Sequence, residues 1–292
     1  MSSLESLQKR IKTTTDLRDI VSTMKSLSSV SILQYDEAVV SLKGYRRNIL
    51  DGFHALAKCR PLPAKPKKKT GKILMLLIGS DNGLVGRFNK EVFDSADRLL
   101  QQMGVAKKDA LFLTVGKRVA VLAENAGVNL FAKYAISNSI KFVNSLAGTI
   151  IIRLYQAMQT QKVTRVIVLY HKREQGTQST LETMTLLPAN EDSFRQLKQK
   201  PWGTNNVPLV TLPTETLMQS LIKEYLMIEV STALTYSLAA EHHTRMINMQ
   251  NAEKNIDESL AVLNQEYQQK RQDAITEELI DVVSGAEAIK KK

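Results

Sequence analysis

The chain has 292 residues, of which 43% are hydrophobic and 5% aromatic, and it carries a formal net charge of +11. This apolar content can build a core, and the low aromatic content favours helical packing over a β-sandwich. The single cysteine, Cys59, excludes an internal disulfide and indicates a reducing compartment. No apolar run approaches the roughly 20 residues of a transmembrane helix, and the polar N-terminal segment predicts no signal peptide.

The first predicted element is a long helix. Apolar residues recur at steps of three and four from Leu4 to Leu56, and the first proline is Pro61. This spacing over such a length is typical of a coiled-coil seam. We therefore predict an N-terminal shaft helix over residues 1–60 and a linker rich in proline and lysine over 61–71.

The hydrophobic period changes in the middle of the chain, where short apolar runs alternate with helical patterns. This alternation predicts a largely parallel, Rossmann-like α/β domain over residues 72–212, with a sheet covered on both faces. The predicted strands are Lys72–Ile78, Ala110–Val115, Val128–Ile136, Val163–His171 and Leu181–Leu187, the predicted helices are Asn89–Met103, Lys117–Asn125 and Ser139–Gln161, and a loop follows over Pro188–Pro213.

The last predicted element is a second shaft helix over residues 213–292, which contains no proline after Pro213 and one glycine, Gly285. Residues 1–72 carry 15 Lys/Arg against 6 Asp/Glu, whereas residues 214–292 carry 8 against 13, so the two helices should attract each other. The predicted fold class is α/β, with a long antiparallel coiled coil of the N- and C-terminal helices and an inserted Rossmann-like domain.

The motifs that could carry chemistry are weak. The glycine-rich segment Gly79–Gly86 follows a predicted strand, but it matches neither G-x-x-x-x-G-K-[ST] nor G-x-G-x-x-G. We interpret it as a tight turn with positive φ at Gly83 or Gly86. The diffuse basic charge, without zinc spacing or a helix-turn-helix pattern, predicts no nucleic-acid partner.

The segment Glu241-His242-His243 does not predict a metal site. Adjacent histidines on a helix point about 100° apart and cannot easily share a metal. We interpret this segment as a solvated helix face. No Ser/His/Asp set stands out either, so we expect no catalytic residues, no cofactor, no metal and no small-molecule substrate of the chain's own.

Three segments resemble the γ subunit of F-type ATP synthases. Leu7–Met24 is similar to the opening of that family's central shaft, and Ser80–Asn89 resembles its S-D-R-G-L-C-G-G-F-N loop. The run Arg271–Ala286 resembles its R-Q-x-x-I-T-x-E-(L/I)-x-E-I-V-x-G-A signature, and Glu241-x-x-x-Arg245-Met246 precedes it in register. The resemblance covers essentially the full length.

The chain also departs from the family pattern. Lys25–Ser31 replaces the usual M-V-A-A-A-K segment, Val85 and Arg87 stand where cysteine and glycine are usual, and Asp81-Asn82 replaces Asp-Arg. These departures suggest a divergent branch, such as the alternate, sodium-linked type of bacterial F-ATPase. The coupling ion, H⁺ or Na⁺, stays open.

The resemblance implies a central rotor stalk that is not itself catalytic, couples ion flow to ATP synthesis or hydrolysis, and lies peripherally on the cytoplasmic side of a bacterial plasma membrane. Its implied partners are the F1 α and β subunits, the ε subunit and the c-ring. The residues implied to contact the α/β ring are Met24, Arg271, Gln272, Thr276, Asp81 and Val85, and those implied to meet ε and the c-ring are Tyr45 and Trp202.

Two alternatives from other classes remain at this point. The first is a nucleotide-binding α/β enzyme with helical arms, which predicts tight binding of ATP or a dinucleotide by the isolated chain. The second is a coiled-coil scaffold unrelated to energy conversion, which predicts self-association through the seam without α and β partners.

Overall fold

Two long helices begin and end the fold in the computed structural model, which describes residues 3–59, 71–137, 139–173, 179–188, 201–202, 206 and 208–290, with side chains to residue 284. Helix α1 spans Leu4–Cys59 and the last helix, α5, spans Thr214–Lys290. Both are free of internal proline, which would remove a backbone donor and clash with the preceding turn. No helix among the described residues is long and apolar enough to cross a membrane.

The residues between these helices form a five-stranded sheet in the order β3-β2-β1-β4-β5. Strands β1 to β4 are parallel, and β5 pairs with β4 in the antiparallel direction at one edge. The strands are β1 (Lys72–Ile78), β2 (Leu111–Val115), β3 (Leu130–Tyr134), β4 (Val163–Lys172) and β5 (Thr180–Leu187), and the helices are α2 (Phe88–Gln102), α3 (Lys117–Asn125) and α4 (Val143–Thr160).

The core lies on both faces of the sheet because β1 is buried on both sides. Alternate residues of a strand point to opposite faces. Leu74, Leu76 and Ile78 belong to a cluster with residues of α1, α4 and α5, whereas Met75 and Leu77 pack with residues of α2 and α3. The predicted fold class is therefore confirmed. Short 3₁₀ turns also occur at Lys107–Asp109, before β2, and at Ile140–Phe142, before α4, where the sequence predicted continuous helix.

The chain divides into two compact units, each built from parts of both long helices. Residues 1–28 and 246–292 form the helical unit, and residues 29–245 form the sheet unit. The sheet unit is wider than the segment 72–212 because α1 and α5 residues enter its core. The domain bounds given by the sequence stay predictions, and the linker over 61–71 lies almost wholly outside the described residues.

Side-chain pairs across α1 and α5 run in opposite directions within each unit. As the residue number rises along α1, that of the partner falls along α5, so the two helices are antiparallel as the sequence predicted. The pairs, with the α1 residue first, are Arg18–Asp257 and Lys25–Glu253 in the helical unit and Tyr35–His242 and Arg46–Glu229 in the sheet unit.

Candidate partner-binding surfaces

The glycine-rich loop after β1 closes on itself. The backbone N–H of Ser80 donates to Asn89 Oδ1 at 2.8 Å, and Asn89 Nδ2 donates to Ser80 Oγ at 2.8 Å. Both side chains are buried. A phosphate-binding loop points such amides at its ligand, whereas the Ser80 amide is already bonded. Gly86 has φ +58°, as predicted, and Leu84 also has positive φ, at +65°.

Asp81 ties three loops of the sheet unit together. Its Oδ1 accepts hydrogen bonds from the backbone N–H groups of Lys117, at 2.9 Å, and Ile136, at 3.0 Å. The side chain is 13% exposed. Asp81 was predicted to contact the α/β ring; that role stays a prediction, and the structure adds an internal one that sequence reasoning missed because the partners are backbone groups of distant loops.

Val85 is buried in a small cluster. Its side chain is 2% exposed and packs with Phe88 and Ala240 of α5. A side chain in this position offers almost no surface of its own in this chain, and its contact with the α/β ring stays a prediction. The loop exposes other side chains, among them Asn82, Leu84 and Arg87.

The predicted ring contacts on the long helices lie in the helical unit. Met24 is half-buried, whereas Arg271, Gln272 and Thr276 are exposed on α5. The Thr276 hydroxyl donates to the backbone carbonyl of Gln272 at 2.9 Å, one turn earlier. The three exposed residues are therefore on accessible helix surface in this chain, and their contact with other subunits stays a prediction.

The predicted foot residues lie in the sheet unit. Tyr45 is 47% exposed, and its hydroxyl donates to Glu224 Oε2 of α5 at 2.9 Å. This hydrogen bond raises the pKa of Tyr45. The Trp202 ring meets the buried His54 ring of α1 edge-on at 4.9 Å, so Trp202 holds its segment against the helix while remaining half-exposed.

The segment predicted as a solvated helix face is buried. Glu241 and His242 are 1% and 6% exposed, and Glu241 Oε1 accepts a hydrogen bond from Arg245 Nη2 at 2.5 Å. Burial raises the pKa of Glu241 to about 7 against the opposing effect of Arg245, and burial lowers the pKa of His242 to about 4. His242 stacks on Tyr35 of α1 at 5.5 Å.

The solvated-face prediction was therefore wrong for Glu241 and His242. The i, i+4 spacing of Glu241 and Arg245 was the signal for an internal pair, but only the packing of α5 on the sheet decides that the pair is desolvated. Among the residues that the structure describes, no group of His, Cys, Asp or Glu has an arrangement that could hold a metal ion.

Comparison with known proteins gives the family. A family model described as ATP synthase matches residues 3–289. The chain is 26% identical to the ATP synthase gamma chain of Geotalea uraniireducens and 27% identical to that of Geobacter metallireducens, with 99% of this chain and 100% of each relative covered. The chain belongs to the γ-chain family of ATP synthases, which are non-catalytic subunits of the complex that makes or hydrolyses ATP.

Solved structures share the fold. A chain in the Euglena gracilis mitochondrial ATP synthase structure described as OSCP/F1/c-ring matches with a TM-score of 0.65 and 16% identity, covering 98% of this chain and 94% of that one. A chain of the Tetrahymena thermophila mitochondrial ATP synthase central stalk and c-ring matches with a TM-score of 0.55 and 19% identity, covering 80% and 99%. At these identities the likeness concerns the fold.

Proposed function

We propose that this chain is the rotating central stalk of a bacterial F1Fo ATP synthase, coupling ion flow through the c-ring to ATP synthesis or hydrolysis at the α/β ring. The observation that carries the proposal is the antiparallel pairing of α1 and α5 within each unit, in a chain that the γ-chain family model matches over residues 3–289. Two paired helices without internal proline resist torsion and can pass torque between them.

The mechanism follows from asymmetry. One shaft touching three identical β subunits differently gives each a different nucleotide affinity, which is a coupling free energy between sites rather than local catalysis. The proposed ring contacts are Met24, Arg271, Gln272 and Thr276, together with the loop that Asp81 holds and that exposes Leu84 and Arg87.

The remaining partners follow from the same assignment. The titles of the solved neighbours name a rotor, F1 and a c-ring. The end of the sheet unit that carries Tyr45 and Trp202 would meet ε and the c-ring. The protein would then lie peripherally on the cytoplasmic side of the plasma membrane, with H⁺ or Na⁺ as the coupling ion.

Reconstitution tests this proposal. The purified chain should neither hydrolyse nor bind ATP at millimolar concentration, and adding the α and β subunits should give a magnesium-dependent ATPase. Turnover by the chain alone would instead support a nucleotide-binding enzyme. Self-association without any assembly with α and β would support a scaffold.

A further inference from the structure

The sheet unit contains a crevice of the kind that binds ligands in other α/β folds. Open parallel sheets take ligands beyond the carboxyl ends of the strands, at the point where the strand order reverses. In this sheet the reversal falls between β1 and β4, because β2 lies on one side of β1 and β4 on the other. The crevice therefore opens beyond Ile78 and Lys172.

The chain's own side chains occupy this crevice. The Phe88 ring stacks on His171 at 4.0 Å with an interplanar angle of 20°. Ser237 of α5 lies at the end of β1, with its hydroxyl 3.5 Å from the Ile78 carbonyl oxygen. A Cβ on Gly116, which has φ +110°, would come within 2.7 Å of the Gly79 backbone, so the turns after β1 and β2 are in close contact.

Ala240 is the point where α5 meets the loop after β1. It is 0% exposed and packs with Val85 and Phe88, which are 2% and 3% exposed. Arg87, which lies between Val85 and Phe88 in the loop, is exposed, and Leu84, just before Val85, is 57% exposed. The loop that carries these exposed residues is thus anchored to α5 by a small apolar contact.

We propose that α5 takes the place of a ligand in this crevice, and that Ala240, Val85 and Phe88 are positioning residues that lock the loop over 80–89 to the helix. This inference rests on the proposed function, since it explains how a loop of the sheet domain moves with the shaft rather than independently of it.

The contact requires a small residue at position 240. Cores are close-packed, so added methyl groups displace their neighbours. The neighbours here are loop side chains, which can move outwards more easily than β1 can. A valine at 240 should therefore loosen the loop before it disturbs the sheet, and an alanine at 85 should make room for that valine.

Hydrogen–deuterium exchange of the full-length chain tests the contact. Ala240→Val should speed exchange of the amides over residues 82–88 at least about tenfold, by local opening. Combining it with Val85→Ala should return the exchange rate to within about twofold of wild type, because the exchanged volumes compensate. The matched control is Ala239→Val, a neighbouring alanine that is also 0% exposed but packs in the sheet core.

Two results would overturn the proposal: equal loop protection in Ala240→Val and Ala239→Val, or no restoration by Val85→Ala. The assembled complex separates this inference from the proposed function. There, Ala240→Val should reduce the ions pumped per ATP hydrolysed, and the double variant should restore them. The chain could also fail to assemble with α and β while Ala240→Val still loosens the loop in the isolated protein. That result would refute the stalk assignment and support the proposed contact between the loop and α5.

Discussion

The helical unit and the sheet unit contain ion pairs of opposite kind: one joins α1 to α5 at the surface, and the other lies buried within α5. In the helical unit, Arg18 and Asp257 form a pair at 2.6 Å whose side chains are 47% and 48% exposed. In the sheet unit, Glu241 and Arg245 form a pair at 2.5 Å whose side chains are 1% and 5% exposed. The exposed pair contributes little to the free energy of unfolding. Removing one partner of the buried pair would leave an uncompensated buried charge, which is strongly destabilising.

The two units are stabilised by different features of the sequence. The helical unit buries few large apolar side chains, among them Leu7, Met249 and Leu263, so its order depends on the continuity of the helices. The sheet unit has a deep core on both sheet faces and encloses polar groups within it. We therefore expect backbone changes to matter most in the first unit and side-chain changes in the second.

Removing one partner of the buried pair should give the largest loss of stability. At pH 8, where Glu241 is ionised, Arg245→Met leaves its carboxylate buried without a partner, which typically costs about 3–5 kcal/mol. The matched control is Arg18→Met in the exposed pair, which should cost less than about 1 kcal/mol. Urea unfolding of the full-length chain measures both. Equal losses in the two variants would show that burial does not distinguish these pairs.

The sequence predicted the elements well but not the buried polar contacts. A continuous apolar run bounded by glycine defined β1, and prolines marked the end of α1 and the start of α5, because these signals are local. The burial of Glu241, the backbone bonds of Asp81 and the burial of Val85 depend on α5 lying against the sheet. Those contacts join residues distant in sequence, and no local pattern specifies them.

Breaking helix continuity should have the next largest effect. Ile256→Pro should cost about 3 kcal/mol locally, because proline removes a backbone donor and clashes with the preceding turn. The damage should stay in the helical unit, so that amide exchange speeds up there and not in the sheet. In the assembled complex it should reduce ion pumping more than ATP hydrolysis. Ile256→Ala is the control for the lost side chain, and intact pumping with proline would argue against a rigid shaft.

A surface contact with another subunit should affect activity without affecting stability. Arg271 is exposed, so Arg271→Ala should leave the melting temperature of the isolated chain nearly unchanged. If it binds a β carboxylate, losing a contact of about 1.5–3 kcal/mol should slow ATP hydrolysis by the complex about tenfold or more. Arg271→Lys should rescue only partly, because lysine lacks the planar fork. Wild-type rates in the alanine variant, at normal subunit stoichiometry, would place the contact elsewhere.

The smallest expected effect is the pH dependence that Glu241 gives to the sheet unit. Burial raises its pKa from 4.5 to about 7, so its contribution to stability is fully present below pH 4.5 and is lost as the pH rises through 7. The free energy of unfolding of wild type, relative to Glu241→Gln, should therefore fall by about 2 kcal/mol between pH 5 and pH 8.

The neighbouring groups do not produce this difference. Burial lowers the pKa of His242 to about 4, so the stability that the neutral ring contributes is lost only as the pH falls. This loss occurs in wild type and in Glu241→Gln alike. Burial raises the pKa of Tyr35 to about 12, above the range measured. Urea unfolding at intervals of pH measures the difference. If it instead rises with pH, attraction by Arg245 outweighs burial, and the pair stabilises the ionised carboxylate at the centre of the unit.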